Sequence, residues 1–183
     1  MFGLNPEKTT ILVTGGSQGA RRLNELSAQA AEKLPAEMQV LHIAGALDFE
    51  RVSEIAHGRP GHKVLGFCDQ MPAAYAVADL VIARSGASSL TEISISGHPS
   101  ILVPYPFAAD DHQTCNAEVF SAAGAAVLVQ EKDLDAEKLA SLAASILQDL
   151  PTYKRMAKAA RALAVPDAAD RVCSAIETTL LPQ

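Results

Sequence analysis

Two loops in this chain combine residue types that can hold an anion and a vicinal diol. The more informative is Ser85-Gly86-Ala87-Ser88-Ser89, within the run Ala83-Arg84-Ser85-Gly86-Ala87-Ser88-Ser89-Leu90-Thr91-Glu92. A small-residue loop leading into a helix exposes backbone N–H groups that the helix cannot satisfy, at the end where its dipole favours negative charge. Small side chains let a ligand approach that backbone closely. Glu92 falls about one turn into the helix, where a carboxylate can accept hydrogen bonds from two neighbouring hydroxyls, as on a ribose. A plainer reading of the same residues has Ser88 or Ser89 as helix N-cap and Glu92 complementing the dipole.

The second loop, Gly15-Gly16-Ser17-Gln18-Gly19-Ala20, is also glycine-rich between an apolar run and a helical segment. Phosphate binding suits it, although the glycines also serve a tight turn. It is not a P-loop, because no Gly-Lys-Ser/Thr follows. It is a poor dinucleotide fingerprint too, with Thr14 at the first glycine position and no acidic residue after Ile43-Ala44-Gly45.

Two further loops contribute weaker signals. In Gly66-Phe67-Cys68-Asp69-Gln70-Met71, Phe67 suits either stacking on a base, with the Cys68 backbone reading its edge, or an apolar plug. The loop Pro104 to Asn116 is the most polar. Its Asp110-Asp111-His112 run invites a metal reading, but three consecutive side chains rarely converge on one ion. His112, Gln113 and Asn116 lie near the start of the next helix, where imidazole and amide donors suit sugar hydroxyls; Asp110 or Asp111 suits helix capping. His42, His57, His62 and His98 show no partner pattern and are read as structural or surface residues.

The elements that must position these loops alternate regularly. Short apolar strands are expected at 9–14, 38–43, 63–67, 80–83, 100–103 and 126–129. Helices are expected at 20–34, 47–56, 71–77, from about 90 to 96, and at 113–123, 135–147, 152–164 and 167–180, with Pro35, Gly97, Pro99 and Gly124 as stops. Short, apolar strands separated by helices predict an α/β domain with a doubly wound parallel sheet of about six strands, covered on both faces. Ligands in such sheets bind at the carboxyl ends of the strands, where these loops fall.

At 183 residues and 49% hydrophobic content, the chain suffices for one globular domain. A net charge of -6 without a basic block argues against nucleic acid as a partner. Cys68, Cys115 and Cys173 are odd in number and widely spaced, which suits reduced thiols rather than a disulfide or zinc framework. No apolar run reaches membrane-spanning length, so the chain by itself is expected to be soluble and cytosolic. Val172, Ile176 and Leu180 align on the last helix as an apolar face suited to docking.

Taken together, Val13-Thr14-Gly15-Gly16-Ser17-Gln18-Gly19-Ala20-Arg21, then Asp79 through Glu92, then Pro104-Tyr105-Pro106 with Asp110-Asp111-His112-Gln113 and Asn116-Ala117, resemble the MurG family of bacterial N-acetylglucosaminyltransferases. The similarity covers essentially the whole chain, residues 1–183, but only the C-terminal, donor-binding half of that family. It implies a Rossmann-like half of a GT-B glycosyltransferase. The family moves GlcNAc from UDP-GlcNAc to lipid-linked MurNAc-pentapeptide in peptidoglycan synthesis.

The resemblance further implies that Gly16, Ser17 and Gly19 lie near the diphosphate and that the Cys68 backbone reads uracil. Arg84 and the run Ala87, Ser88, Ser89, Leu90, Thr91 and Glu92 are implied to bind the donor, with Glu92 on the ribose diol. His112 and Gln113 are implied to reach the GlcNAc hydroxyls. No metal or other cofactor is implied. The family's N-terminal acceptor domain, with its general base and apolar membrane-facing patch, has no counterpart in these residues. The acceptor and the inner face of the cell membrane would therefore be met only through that domain, and this chain alone is expected to bind donor without turnover. Other readings are a nucleotide-sugar-binding subunit of a split glycosyltransferase, a UDP-GlcNAc epimerase and, more distantly, an NAD oxidoreductase.

Overall fold

The computed structural model describes residues 2–16 and 20–180. Six parallel strands form one sheet: β1 (Thr9–Thr14), β2 (Met38–Ile43), β3 (His62–Leu65), β4 (Leu80–Ala83), β5 (Ser100–Leu102) and β6 (Ala126–Leu128), in the order β3-β2-β1-β4-β5-β6. The order reverses between β1 and β4, which pair from Ile11 with Leu80 to Thr14 with Ala83. The loops leaving these two strands therefore open side by side at the switch point. The expected doubly wound parallel sheet is present.

Eight α-helices accompany the strands among the described residues: α1 (Arg21–Ala31), α2 (Phe49–Ala56), α3 (Met71–Ala76), α4 (Ala87–Ser96), α5 (His112–Ala122), α6 (Ala136–Gln148), α7 (Leu150–Ala162) and α8 (Ala168–Leu180). Successive side chains of a strand point to opposite faces. Thus Ile11 and Val13 pack with Leu23 and Leu26 of α1 and Leu139 and Ile146 of α6. Leu12, between them, packs on the other face with Leu41, Val81, Ile93 of α4 and Phe120 of α5.

Most boundaries shift by one or two residues from expectation, each for a local reason. β3 stops at Leu65, whose partner Ile43 is the last residue of β2. α2 begins only at Phe49, because Gly45 to Asp48 form a turn in which the Asp48 N–H donates to the Gly45 carbonyl at 3.3 Å. The polar residues of β2 have work inside the fold. His42, fully buried, faces Asn24 Oδ1 through Nε2 at 3.1 Å and His62 Nε2 through Nδ1 at 3.3 Å, with the two rings stacked. Since Asn24 Oδ1 accepts, Nε2 of His42 carries the proton and Nδ1 accepts from His62.

Asn24 in turn donates to the Ala44 carbonyl at 2.8 Å and to Asp48 Oδ2 at 2.9 Å, tying α1, β2 and the turn before α2 together. Burial pushes His42 down to about 3 and His62 to about 4, so both stay neutral near pH 7. α8 stands with its described side chains exposed, Val172 and Ile176 among them. Among the described residues no helix is long and apolar enough to cross a membrane.

Candidate functional site

A cleft of about 1070 Å³ opens over the carboxyl ends of β1 and β4. Two helix starts line it: Gly15, Gly16, Ala20 and Arg21 on one side, and Gly86, Ala87, Ser88 and Ser89 on the other. Among the described residues, neither start is closed by a side chain. Ala20 is the N-cap of α1 and Gly86 the N-cap of α4, and neither helix has a side-chain capping bond. Gly86 is the correction to the capping expectation: Ser88 and Ser89 are first-turn residues of α4. Their N–H groups, with that of Ala87, precede the first intrahelical bond, which Leu90 N–H makes to the Gly86 carbonyl at 3.0 Å. Gly16 has φ of 82°, a left-handed conformation that glycine adopts without strain, and it turns the chain from β1 toward α1.

The structure gathers part of the expected residue set in this cleft: Gly16, Arg84, Ala87, Ser88, Ser89 and Gln113. Cys68, Leu90, Thr91, Glu92 and His112 lie outside its lining. Ser17 and Gly19 lie outside the described residues. Leu90 is a correction, because its side chain is buried in the core and its N–H is spent on Gly86, leaving it nothing to offer a ligand. Cys68 is buried beside an exposed Phe67, at 76% exposure, so Phe67 is not an apolar plug. Glu92 is not in the first turn of α4, which removes the dipole-complement reading. Its Oε2 accepts from the Tyr75 hydroxyl at 2.9 Å.

Gln113 has both ends defined. Its carbonyl accepts from Ser85 Oγ at 2.7 Å, and its side-chain Oε1 accepts from the Tyr105 N–H at 3.0 Å. With Oε1 held, the amide NH₂ is the end left to donate into the cleft. Asn116 donates to the Ser85 carbonyl at 3.1 Å, so it braces the loop. His112 is exposed, and its Nδ1 donates to the Ala109 carbonyl at 2.7 Å. Asp110 and Asp111 adopt left-handed backbone conformations; Asp111, at the N-cap of α5, accepts from the Thr114 hydroxyl at 2.6 Å and caps no N–H. Among the described residues, no three His, Cys, Asp or Glu side chains are grouped to hold a metal.

Arg84 plays a different part from the one expected. Its guanidinium donates to the carbonyls of Val103 and Pro104 at 3.1 and 2.9 Å and pairs with Glu131, and it lies over the Tyr105 ring. It is buried, and it fastens the ends of β4 and β5 to the segment after β6. Sequence reading missed the charged wall opposite, Arg22, Glu25, Asp48 and Arg51, with Arg21 beside them. Burial alone would raise the Glu25 carboxyl, but hydrogen bonds from Arg21 and Arg51, at 3.3 and 3.0 Å, outweigh it and hold Glu25 below its ordinary value. All but Asp48, which precedes α2, sit on faces of α1 and α2, so no loop motif marks them. The arrangement suits a polyanion between the two helix starts, with the Gln113 amide at the β5 side for a neutral polar group.

Comparison with known proteins identifies the family. The family model described as the glycosyltransferase family 28 C-terminal domain matches residues 10–172. A Nostoc sp. protein named UDP-N-acetylglucosamine--N-acetylmuramyl-(pentapeptide) pyrophosphoryl-undecaprenol N-acetylglucosamine transferase is 45% identical over 167 residues, covering 91% of this chain and 46% of its own. A protein of the same name from Cupriavidus necator is 48% identical over 166 residues, covering 88% of this chain and 46% of its own. The chain thus spans about half the length of the curated relatives it matches. The crystal structure of Acinetobacter baumannii MurG superimposes with a TM-score of 0.86 at 34% identity, over 93% of this chain and 50% of that one. The calicheamicin glycosyltransferase CalG4 shares the fold alone, with a TM-score of 0.73 at 16% identity. The matched span takes in both helix starts and the Gln113 loop, and the chain belongs to glycosyltransferase family 28, of which it forms the C-terminal domain.

Proposed function

We propose that this chain is the donor-binding half of an N-acetylglucosaminyltransferase that moves GlcNAc from UDP-GlcNAc to lipid-linked MurNAc-pentapeptide, making the disaccharide precursor of peptidoglycan. The observation that carries the reading is the meeting on one cleft of two helix starts, α1 and α4, which no side chain of the described residues caps. Their N–H groups and dipoles suit a diphosphate. Gln113, at the same cleft, supplies a free amide for a sugar hydroxyl. The names carried by the relatives support the choice of donor and acceptor.

In the proposed reaction an acceptor hydroxyl attacks the anomeric carbon and UDP leaves with inversion. Negative charge grows on the diphosphate as the bond breaks, and the preorganised N–H donors of α1 and α4 stabilise it. Each such donor is worth roughly 2.7–4 kcal/mol of barrier in comparable sites. No metal is needed for that step. On this reading the general base, the acceptor site and contact with the inner face of the cell membrane are supplied by a further domain outside these residues. The 1–183 unit alone binds donor and does not turn it over.

Isothermal titration of the chain with UDP-GlcNAc, UDP and NADH, first without metal and then with magnesium, tests this. Saturable, metal-independent binding of the two uridine ligands is expected. Preference for NADH, or GlcNAc transfer by this chain alone, overturns the assignment.

A further inference from the structure

Tyr75 belongs to none of the loops that line the cleft, yet it reaches the one carboxylate read as a diol acceptor. It sits on α3 at 4% exposure, and its hydroxyl crosses to α4 to donate to Glu92 Oε2 at 2.9 Å. The ring is held from behind by His98, which stacks on it at 6.4 Å with an interplanar angle of 12°. His98 Nε2 also donates to the Tyr75 carbonyl at 2.9 Å, since a carbonyl can only accept. His98 follows the α4 C-cap Gly97, so both ends of the arrangement are anchored to the helix that carries Glu92.

Burial, and then the charge and hydrogen bond of Glu92, raise the Tyr75 hydroxyl well above its ordinary value. It therefore remains a proton donor near pH 7. Glu92 is exposed on the helix surface, and without a partner its side chain would sample several rotamers.

We infer that Tyr75 is a positioning residue for nucleotide recognition. It fixes one oxygen of Glu92 and thereby presents the other, with the remaining lone pair of the first, to the vicinal diol of the nucleotide's ribose. The inference rests on the reading of Glu92 as that acceptor. Specificity for a ribonucleotide over a deoxynucleotide then depends on a residue that touches no ligand.

Tyr75→Phe keeps the ring and its stacking on His98 and removes only the hydroxyl. Titration of the 183-residue chain with UDP should show a loss of about 3- to 10-fold in this variant. With 2′,3′-dideoxyuridine 5′-diphosphate, which has no diol, the affinity should be unchanged by the substitution. In a Glu92→Ala background, adding Tyr75→Phe should cost UDP nothing further. An equal loss for both ligands, or a full additional loss in the Glu92→Ala background, means that Tyr75 acts only on the fold and overturns the positioning role. Unchanged UDP affinity in Tyr75→Phe, when Glu92→Ala alone weakens UDP, overturns the positioning role and leaves Glu92 as the diol acceptor. Unchanged UDP affinity in Glu92→Ala overturns the Glu92 reading and this inference with it.

Discussion

Ala87→Pro isolates a single backbone donor of the proposed diphosphate site. Ala87 is the first residue of α4, where proline's fixed φ suits a helix and the lost N–H has no intrahelical partner. The residue before a proline must be extended, and Gly86 already is, with φ of -67° and ψ of 147°. Ala87 is exposed, so no core packing is lost. The chain tolerates proline in the first turn of α3 and of α7, at Pro72 and Pro151. The fold should therefore be unaffected, with a melting temperature within a degree or two of the parent. A hydrogen bond to a charged acceptor is worth about 1.5–3 kcal/mol net, which corresponds to a roughly 10- to 100-fold loss of UDP affinity. Titration calorimetry at fixed ionic strength reads that loss. Ser88→Ala, which keeps the N–H and removes only a hydroxyl, serves as the control and should fall by less than Ala87→Pro. UDP affinity within twofold of the parent, in a folded Ala87→Pro variant, would refute the claim that the start of α4 holds the diphosphate.

Three other outcomes follow from the same geometry. Gln113→Ala should weaken UDP-GlcNAc by about 3- to 10-fold and leave UDP alone, because a neutral amide to a hydroxyl contributes about 0.5–1.5 kcal/mol; equal losses for both ligands would place the amide elsewhere. Arg84→Met should cost about 3 kcal/mol of stability in urea unfolding, because Glu131 and the carbonyls of Val103 and Pro104 lose their shared donor; a change below 1 kcal/mol would remove its clamping role. Stability should also fall on acidification. His42 and His62 titrate at about 3 and 4 in the fold, against 6.5 when exposed, so the unfolded chain binds more protons between those values. The stability is complete above about pH 6.5 and is lost as the pH drops toward the folded values, by roughly 1–2 kcal/mol per histidine at pH 5. A flat profile of urea midpoints between pH 7 and 5 would contradict the burial of this pair.

The parallel sheet was legible because each strand is a short run of apolar residues between turn formers, and burial on both faces leaves few other uses for such a run. The helix starts were harder to read. Serine caps helices more often than glycine does, and only the extended backbone of Gly86 shows that α4 begins before Ser88. Arg84 lies within a motif and was read toward the ligand, whereas its partners come from Val103, Pro104 and Glu131, which no local pattern connects to it. The Glu25–Arg51 pair and Tyr75 were invisible for the same reason: they act through contacts between helices separated by a strand, whereas Arg21–Glu25 is a local pair within α1. Glu92 was legible as a carboxylate near a helix start, but its orientation depends on a tyrosine from a different helix.

The pairing of β1 with β4 has a kinetic side. Thr14 and Ala83, from which the two loops spring, become neighbours only after the β2 and β3 crossovers have been laid down between them in sequence. Loop-closure entropy opposes such a non-local pairing until the intervening contacts are made. No fragment that stops short of β4 contains both helix starts, so binding competence arrives with the central pairing and not piecemeal. A ligand bridging the two loops would in turn act as a non-covalent crosslink across that seam, slowing the separation of the two halves of the sheet and the exchange of amide protons in β1 and β4 together.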